Sequence, residues 1–229
     1  MSRLYDVSLG MENIRQALTD PLPGVAGQIK MAPQPPAGDI NRWRRPENCR
    51  EAGVLVLLYP RITHSQGQHP LSSAPELHLS LIRRPEYPGV HSGQISLPGG
   101  RREGNESLQT TSLREAQEEI GVTPEALEII GQLSPLYTPP SNFCIYPFVA
   151  LSHTRPDFQL DSKEVAELIE TPLSLLLDPA ICKEETWYFQ NYGERRIPFF
   201  DVFGHQVWGA TAMILGEFLV LLNRSPDTD

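Results

Sequence analysis

Residues 100–122 read GRREGNESLQTTSLREAQEEIGV, and from this stretch the rest of the chain can be ordered. At about 100° per residue, Leu108, Leu113, Ala116 and Ile120 share one apolar arc, so the spacing predicts a core-facing helix over 107–120. Gly121 suits the left-handed position just past a helix, and Pro124 is a second stop. Beside the apolar arc lie Glu115, Glu118 and Glu119. Acids three or four residues apart on a helix repel by roughly 0.2–0.5 kcal/mol per pair. In the last turns the helix dipole disfavours each by about 0.3–1 kcal/mol more. A divalent cation such as Mg²⁺ or Mn²⁺ reverses both signs, because hard oxygen ligands turn mutual repulsion into coordination. The cluster is a candidate metal site, to be weighed against a plain solvated acidic surface balanced by Arg114.

Working outward, GVLVLLY at 53–59 reads as a strand buried on both faces, and ELHLSLIR at 76–83 as its hairpin partner across a long polar loop containing His64 and His69. Residues 129–137 and 145–151 read as strands joined by TPPSN. A short helix or bulged strand is expected over 164–169, a helical turn over 172–177, and a strand over 197–203 that turns at Gly204 toward Val207 and Trp208. The apolar run 210–222 is interrupted by Gly216 and Glu217, is too short to span a bilayer, and reads as a buried final helix. The pattern predicts an α/β (α+β) fold, a mixed sheet flanked by helices. The 22 prolines argue against a helical bundle. Residues 1–50 form an arm, with helical spacing at Ile14, Ala17 and Leu18 and then Pro21, Pro23, Pro33, Pro35 and Pro36; residues 51–229 form the one domain. The arm could cover a homodimer interface or pack on the sheet.

A formal charge of −9 argues against a nucleic-acid partner, and the lack of a long apolar run against a membrane one. Cys49, Cys144 and Cys182 are odd in number and lack metal-ligand spacing, which predicts no disulfide framework, no zinc site and a reducing, cytoplasmic location. No Gly-Lys-Ser/Thr follows Gly99 and Gly100, so they do not open a P-loop.

Gly100, Glu106, Arg114, Glu115, Glu118, Glu119, Gly121 and Val122 fill the fixed positions of GX5EX7REUXEEXGU, with Ala116 at the first aliphatic place, so the segment resembles the Nudix superfamily. The resemblance implies the Nudix fold, an α/β/α sandwich, and metal-assisted attack of water on a diphosphate. Glu115, Glu118 and Glu119 would bind metal or activate water, with Glu115 or Glu118 as base and the Gly99 or Gly100 carbonyl as a further ligand. Glu106 and Arg114 would pair to hold the loop, beside the structural Gly121. A fourth acid often comes from outside the box; Glu164 is the best-placed candidate and Glu167 the next.

The upstream segment LSLIRRPEYPGVHSGQISLPGG is similar to the pattern LLTXRX4RX3GXVXFPGG of the coenzyme A diphosphatase branch. Arg84, Gly93, Ile95, Pro98, Gly99 and Gly100 fit; Leu97 replaces Phe, Gly89 the second Arg and Ile82 the Thr. This resemblance implies hydrolysis of a small nucleotide, coenzyme A or a derivative, to 3′,5′-ADP and 4′-phosphopantetheine. Arg83 and Arg84 are reasonable phosphate clamps, because a guanidinium binds phosphate oxygens bidentately. His91 is expected to order its loop by a local hydrogen bond. The alternatives are another nucleoside diphosphate derivative as substrate (ADP-ribose, NADH, a dinucleotide polyphosphate) or a Nudix module that binds without cleaving.

Overall fold

A computed structural model describes residues 10–34, 45–61, 75–88, 91–190 and 193–224. The expectations at His64, His69, Pro35, Pro36 and Gly89 lie outside the described residues. In chain order the elements are α1 (Met11–Ala17), α2 (Val25–Gln28), β1 (Arg50–Arg61), β2 (Glu76–Arg83), β3 (Ile95–Ser96), β4 (Gly99–Arg101), α3 (Leu108–Ile120), β5 (Glu128–Gln132), β6 (Leu136–Thr138), β7 (Phe143–Leu151), β8 (Glu167–Pro172), α4 (Leu173–Leu177), β9 (Cys182–Phe189), β10 (Gly193–Val202), β11 (His205–Trp208) and α5 (Gly209–Leu222).

The main sheet runs β3-β2-β1-β7-β5, with β4 on β1, β6 on β7 and β8 on β2. It is mixed, as expected: β1 pairs antiparallel with β2 and parallel with β7. Strand β1 is buried on both faces because it lies between two cores. Leu55, Leu57 and Tyr59 pack with Ala116 and Ile120 of α3, whereas Val56 and Leu58 pack with Met213, Ile214 and Phe218 of α5. Helices therefore flank the sheet on both sides.

A second sheet, the antiparallel meander β9-β10-β11, leads directly into α5. Strand β9 was not anticipated. Its sequence CKEETWYF shows no apolar alternation, and Cys182 to Thr186 are exposed because β9 is an edge held only by β10. Two other expectations need adjustment. The strand over 129–137 is broken into β5 and β6, since Leu133 buries between them and the Ser134 N–H turns to donate to the Glu217 carboxylate at 3.2 Å. The ambiguous segment after Glu164 becomes strand β8, which starts at Glu167 and leaves Glu164 in a loop.

The cysteine expectation is overturned. Cys49 and Cys144 form a disulfide with Cα atoms 5.8 Å apart, leaving Cys182 as the free thiol. The parallel register sets Glu51 beside Cys144 and so carries the residue just before β1 to the start of β7. The partners are 95 residues apart in sequence, so no local spacing reveals the pair. The cysteines thus give no support to a reducing compartment. Among the described residues no helix is long and apolar enough to cross a membrane.

Candidate metal and diphosphate site

Helix α3 begins at Ser107, whose side chain accepts the Thr110 N–H at 3.0 Å, and ends at Gly121 with φ 73°. A side chain at Gly121 would be strained by that φ and would also meet Gln159 at 2.7 Å. This close approach lets residues 159–161 cap the helix: the Gln159 N–H donates to the Ile120 carbonyl at 3.0 Å and the Asp161 N–H to that of Glu119 at 3.1 Å. The same segment carries Glu164 to the acidic face of α3.

There Glu115, Glu119 and Glu164 each offer a carboxylate oxygen, and these oxygens lie within 4.8 Å of one another. Glu119 is 2% exposed; it accepts the Gly99 N–H at 2.8 Å and lies 3.9 Å from Arg84 Nη1. Burial pushes its carboxyl up to about 8, with Glu115 and Glu164 adding to the rise and Gly99 and Arg84 opposing it. Burial also raises Glu115, against the pull of Arg114 at 2.9 Å. Gly100 is there for space: a Cβ would stand 2.4 Å from the Glu115 carboxylate. Three clustered carboxylates, two of them biased against charge and backed by a glycine strand, are a hard-oxygen donor set that a divalent cation fits.

Glu118 is placed differently. Its side chain is 53% exposed and its carboxylate pairs with Arg114 at 2.8 Å, outside the set of three. Arg114 is the hub beneath the helix. It contacts Glu106 through both Nε (3.2 Å) and Nη2 (3.0 Å), and donates from Nη2 to the Arg101 carbonyl at 3.2 Å. The Arg114 guanidinium, aided by the Glu103 N–H and the Thr111 hydroxyl, holds the Glu106 carboxyl down at about 2. Because this folded-state value is the lower one, the pair stabilises the fold fully above about pH 4.5, and the contribution is lost as pH falls toward 2. Glu106→Gln is expected to cost about 1–2 kcal/mol at pH 7, discounted for solvent screening, and much less at pH 3. Urea titrations at the two pH values check this; an equal loss at both would refute it.

The arginine pair at the end of β2 splits. Arg83 binds Glu167 at 2.8 Å, and Glu167 also lies 3.5 Å from His205, so neither joins the acidic set. Arg84 borders the cleft with Gly99 and Gly100. This cleft encloses about 750 Å³ and continues to an apolar wall of Ile95, Leu97, Phe189, Trp208, Met213 and Ile214. The wall was missed by sequence reasoning, because four of its six residues come from the meander and α5, far from the glycine strand in sequence. His91 orders its own turn, bonding Gln94 at 2.8 Å with φ 66°.

Comparison with known proteins identifies the family. The NUDIX domain family matches residues 72–190. The chain is 32% identical over 179 residues to the uncharacterized Nudix hydrolase NudL of Pectobacterium atrosepticum, covering 77% of this chain and 85% of the relative. It is 28% identical over 195 residues to NudL of Photorhabdus laumondii, covering 83% and 90%. Among solved structures, the MutT protein of Methanosarcina mazei aligns with TM-score 0.45 and 18% identity over 77% of this chain and 96% of that one. The NUDIX domain of Shewanella oneidensis NrtR, complexed with ADP ribose, aligns with TM-score 0.41 and 22% identity over 62% and 82%. Nudix hydrolases generally use divalent metal ions, and Glu115, Glu119 and Glu164 form a candidate acidic cluster for one. The chain belongs to the Nudix family and is a pyrophosphohydrolase.

Proposed function

We propose that this chain is a coenzyme A diphosphatase dependent on Mg²⁺ or Mn²⁺, with residues 51–229 as its catalytic unit and residues 1–50 as an arm. The observation that carries the reading is the cleft: it is lined by Arg84, Gly99 and Gly100, against which Glu119 and Glu115 lie, and by an apolar wall. Coenzyme A has that polarity, a diphosphate attached to a long uncharged arm. The segment HSGQISLPGG, similar to the diphosphatase branch, lines the cleft from His91 to Gly100.

Glu115, Glu119 and Glu164 would hold the cation, with Glu118 at the rim and the Gly99 and Gly100 backbone alongside. A bound divalent cation supplies charge for the diphosphate oxygens and makes water a stronger nucleophile. Glu115 would also accept the water proton, its rotamer fixed by Arg114 at 2.9 Å. Arg84 neutralises a phosphate, whereas Arg83, engaged by Glu167, reaches the substrate only by leaving that partner. The new O–P bond forms in line with the bridging P–O bond that breaks, giving two phosphate monoesters, 3′,5′-ADP and 4′-phosphopantetheine.

The test is incubation of purified protein with coenzyme A, ADP-ribose and NADH, each with Mg²⁺ or Mn²⁺ and with EDTA, followed by chromatography of products. Metal-dependent 3′,5′-ADP from coenzyme A is the expected result. Cleavage confined to ADP-ribose or NADH would remove the coenzyme A assignment.

A further inference from the structure

Two residues that line the cleft each carry a buried polar side-chain atom with no hydrogen-bond partner among the described residues, Arg84 Nε and Ser96 Oγ. The third such atom, the Ser80 hydroxyl, does not border the cleft. The register of the β2–β3 pair sets these two on one side of the sheet. Ile82 stands opposite Ser96, and the Arg84 N–H continues the ladder to the Gln94 carbonyl at 3.0 Å. Directly opposed residues of an antiparallel pair face the same side, as do residues two apart along a strand. Ile82 packs with Ala116 and Ile120 of α3. Ser96 and Arg84 therefore face α3, where Glu119 lies 3.9 Å from Arg84 Nη1.

Buried polar groups in native structures are almost always paired, and an orphan at a cleft wall marks where a ligand atom can complete the set. A guanidinium Nε–H only donates, and a hydroxyl can donate. Glu119 does not satisfy them: one of its oxygens takes the Gly99 N–H and the other faces Arg84 Nη1. Two donors set diagonally on one side of the β2–β3 pair, beside a carboxylate set that would hold a cation, call for an anionic oxygen.

We propose that Ser96 is a substrate-binding residue whose hydroxyl, together with the Arg84 Nε–H, donates to one non-bridging oxygen of the substrate diphosphate. The proposal rests on the diphosphatase reading and adds a contact outside the α3 carboxylates. It makes position 96 an orienting position: the shared oxygen pins one phosphate against the β2–β3 edge while the other faces Glu115.

The experiment uses full-length protein and methylenediphosphonate, an uncleavable diphosphate, with Mg²⁺, and measures its Kd by calorimetry for wild type, Ser96→Ala, Arg84→Lys and the double variant. KM and kcat for the cleaved substrate are measured in parallel. Ser96→Ala is expected to weaken binding about tenfold and to raise KM, from loss of one donor to a charged oxygen. Its Tm should be no lower than that of wild type, because alanine leaves no orphan hydroxyl. Arg84→Lys keeps the charge but removes the Nε–H, and should also weaken binding. If both donors serve one oxygen, the double variant loses little more than the weaker-binding single variant. Additive losses would overturn the shared oxygen. A Ser96→Ala Kd within twofold of wild type, with wild type still binding and cleaving, would overturn the contact and leave the diphosphatase reading standing. A wild type that neither cleaves a diphosphate nor binds the analogue would overturn both.

Discussion

Glu119→Gln is expected to lower kcat by about 10³-fold or more while leaving the protein folded. The substitution keeps the shape of the side chain and an oxygen that can still accept the Gly99 N–H, so the 2%-exposed position loses only its charge. Charge is what burial opposes there, which is why the carboxyl is pushed up to about 8. A neutral amide should therefore make the metal-free protein at least as stable as wild type at pH 7, an uncommon outcome for a change that removes activity. Saturating Mg²⁺ should raise the Tm of wild type by mass action and leave that of Glu119→Gln nearly unmoved. Glu118→Gln is the contrast. Its exposed side chain is tied to Arg114 outside the set of three, and its loss should cost no more than about tenfold. Steady-state rates and thermal denaturation with and without Mg²⁺ measure all of this. A Glu119→Gln enzyme within tenfold of wild type would show that the buried carboxylate is not part of the metal set.

Glu217→Ala should destabilise the fold more than Glu106→Gln, Ser96→Ala or either α3 carboxylate variant. Glu217 sits on α5 with no exposure. Its carboxylate accepts the Gly24 N–H at 3.0 Å, the Ser134 N–H at 3.2 Å and the Gln28 side-chain amide at 2.8 Å. These donors come from the arm and from the break between β5 and β6, so one carboxylate ties both to the last helix. Removing it orphans two backbone N–H donors at about 1–3 kcal/mol each, leaves Gln28 Nε2 with the Ser134 carbonyl alone, and opens a cavity in addition, for a total of roughly 3–7 kcal/mol. At about 2–4 °C per kcal/mol for a chain of this size, Tm should fall by about 10 °C or more. Glu217→Gln, able to satisfy part of the set, should lose distinctly less. Differential scanning calorimetry decides between this and a passive role, for which both variants would shift Tm by only a few degrees.

The α3 helix was legible in the sequence to within a residue of its ends, because its apolar arc and its stop are local: Ile120 and Gly121 act within a turn of where they stand. The pairing of Glu106 with Arg114, which the family resemblance implied, joins partners eight residues apart on one loop and helix. Strands β1 and β2 were equally readable from apolar runs and alternation. What local pattern could not show is whatever depends on which distant segments meet. The strand β9 has no period of its own and exists because β10 offers it an edge. Glu217 looked like an interruption of an apolar run until Gly24, Gln28 and Ser134 were seen to surround it. The Cys49–Cys144 bridge follows from the parallel register of β1 and β7, across 95 residues. In the candidate site itself, spacing on one helix brought Glu115, Glu118 and Glu119 near one another. Glu164, which the family resemblance had singled out, reaches them through the fold of residues 159–161 over the end of α3, whereas the Arg114 hub draws Glu118 away. Helical periodicity is set by short-range backbone geometry and is therefore written in the sequence. Which carboxylates share a point in space is set by long-range packing, and that the tertiary structure alone decides.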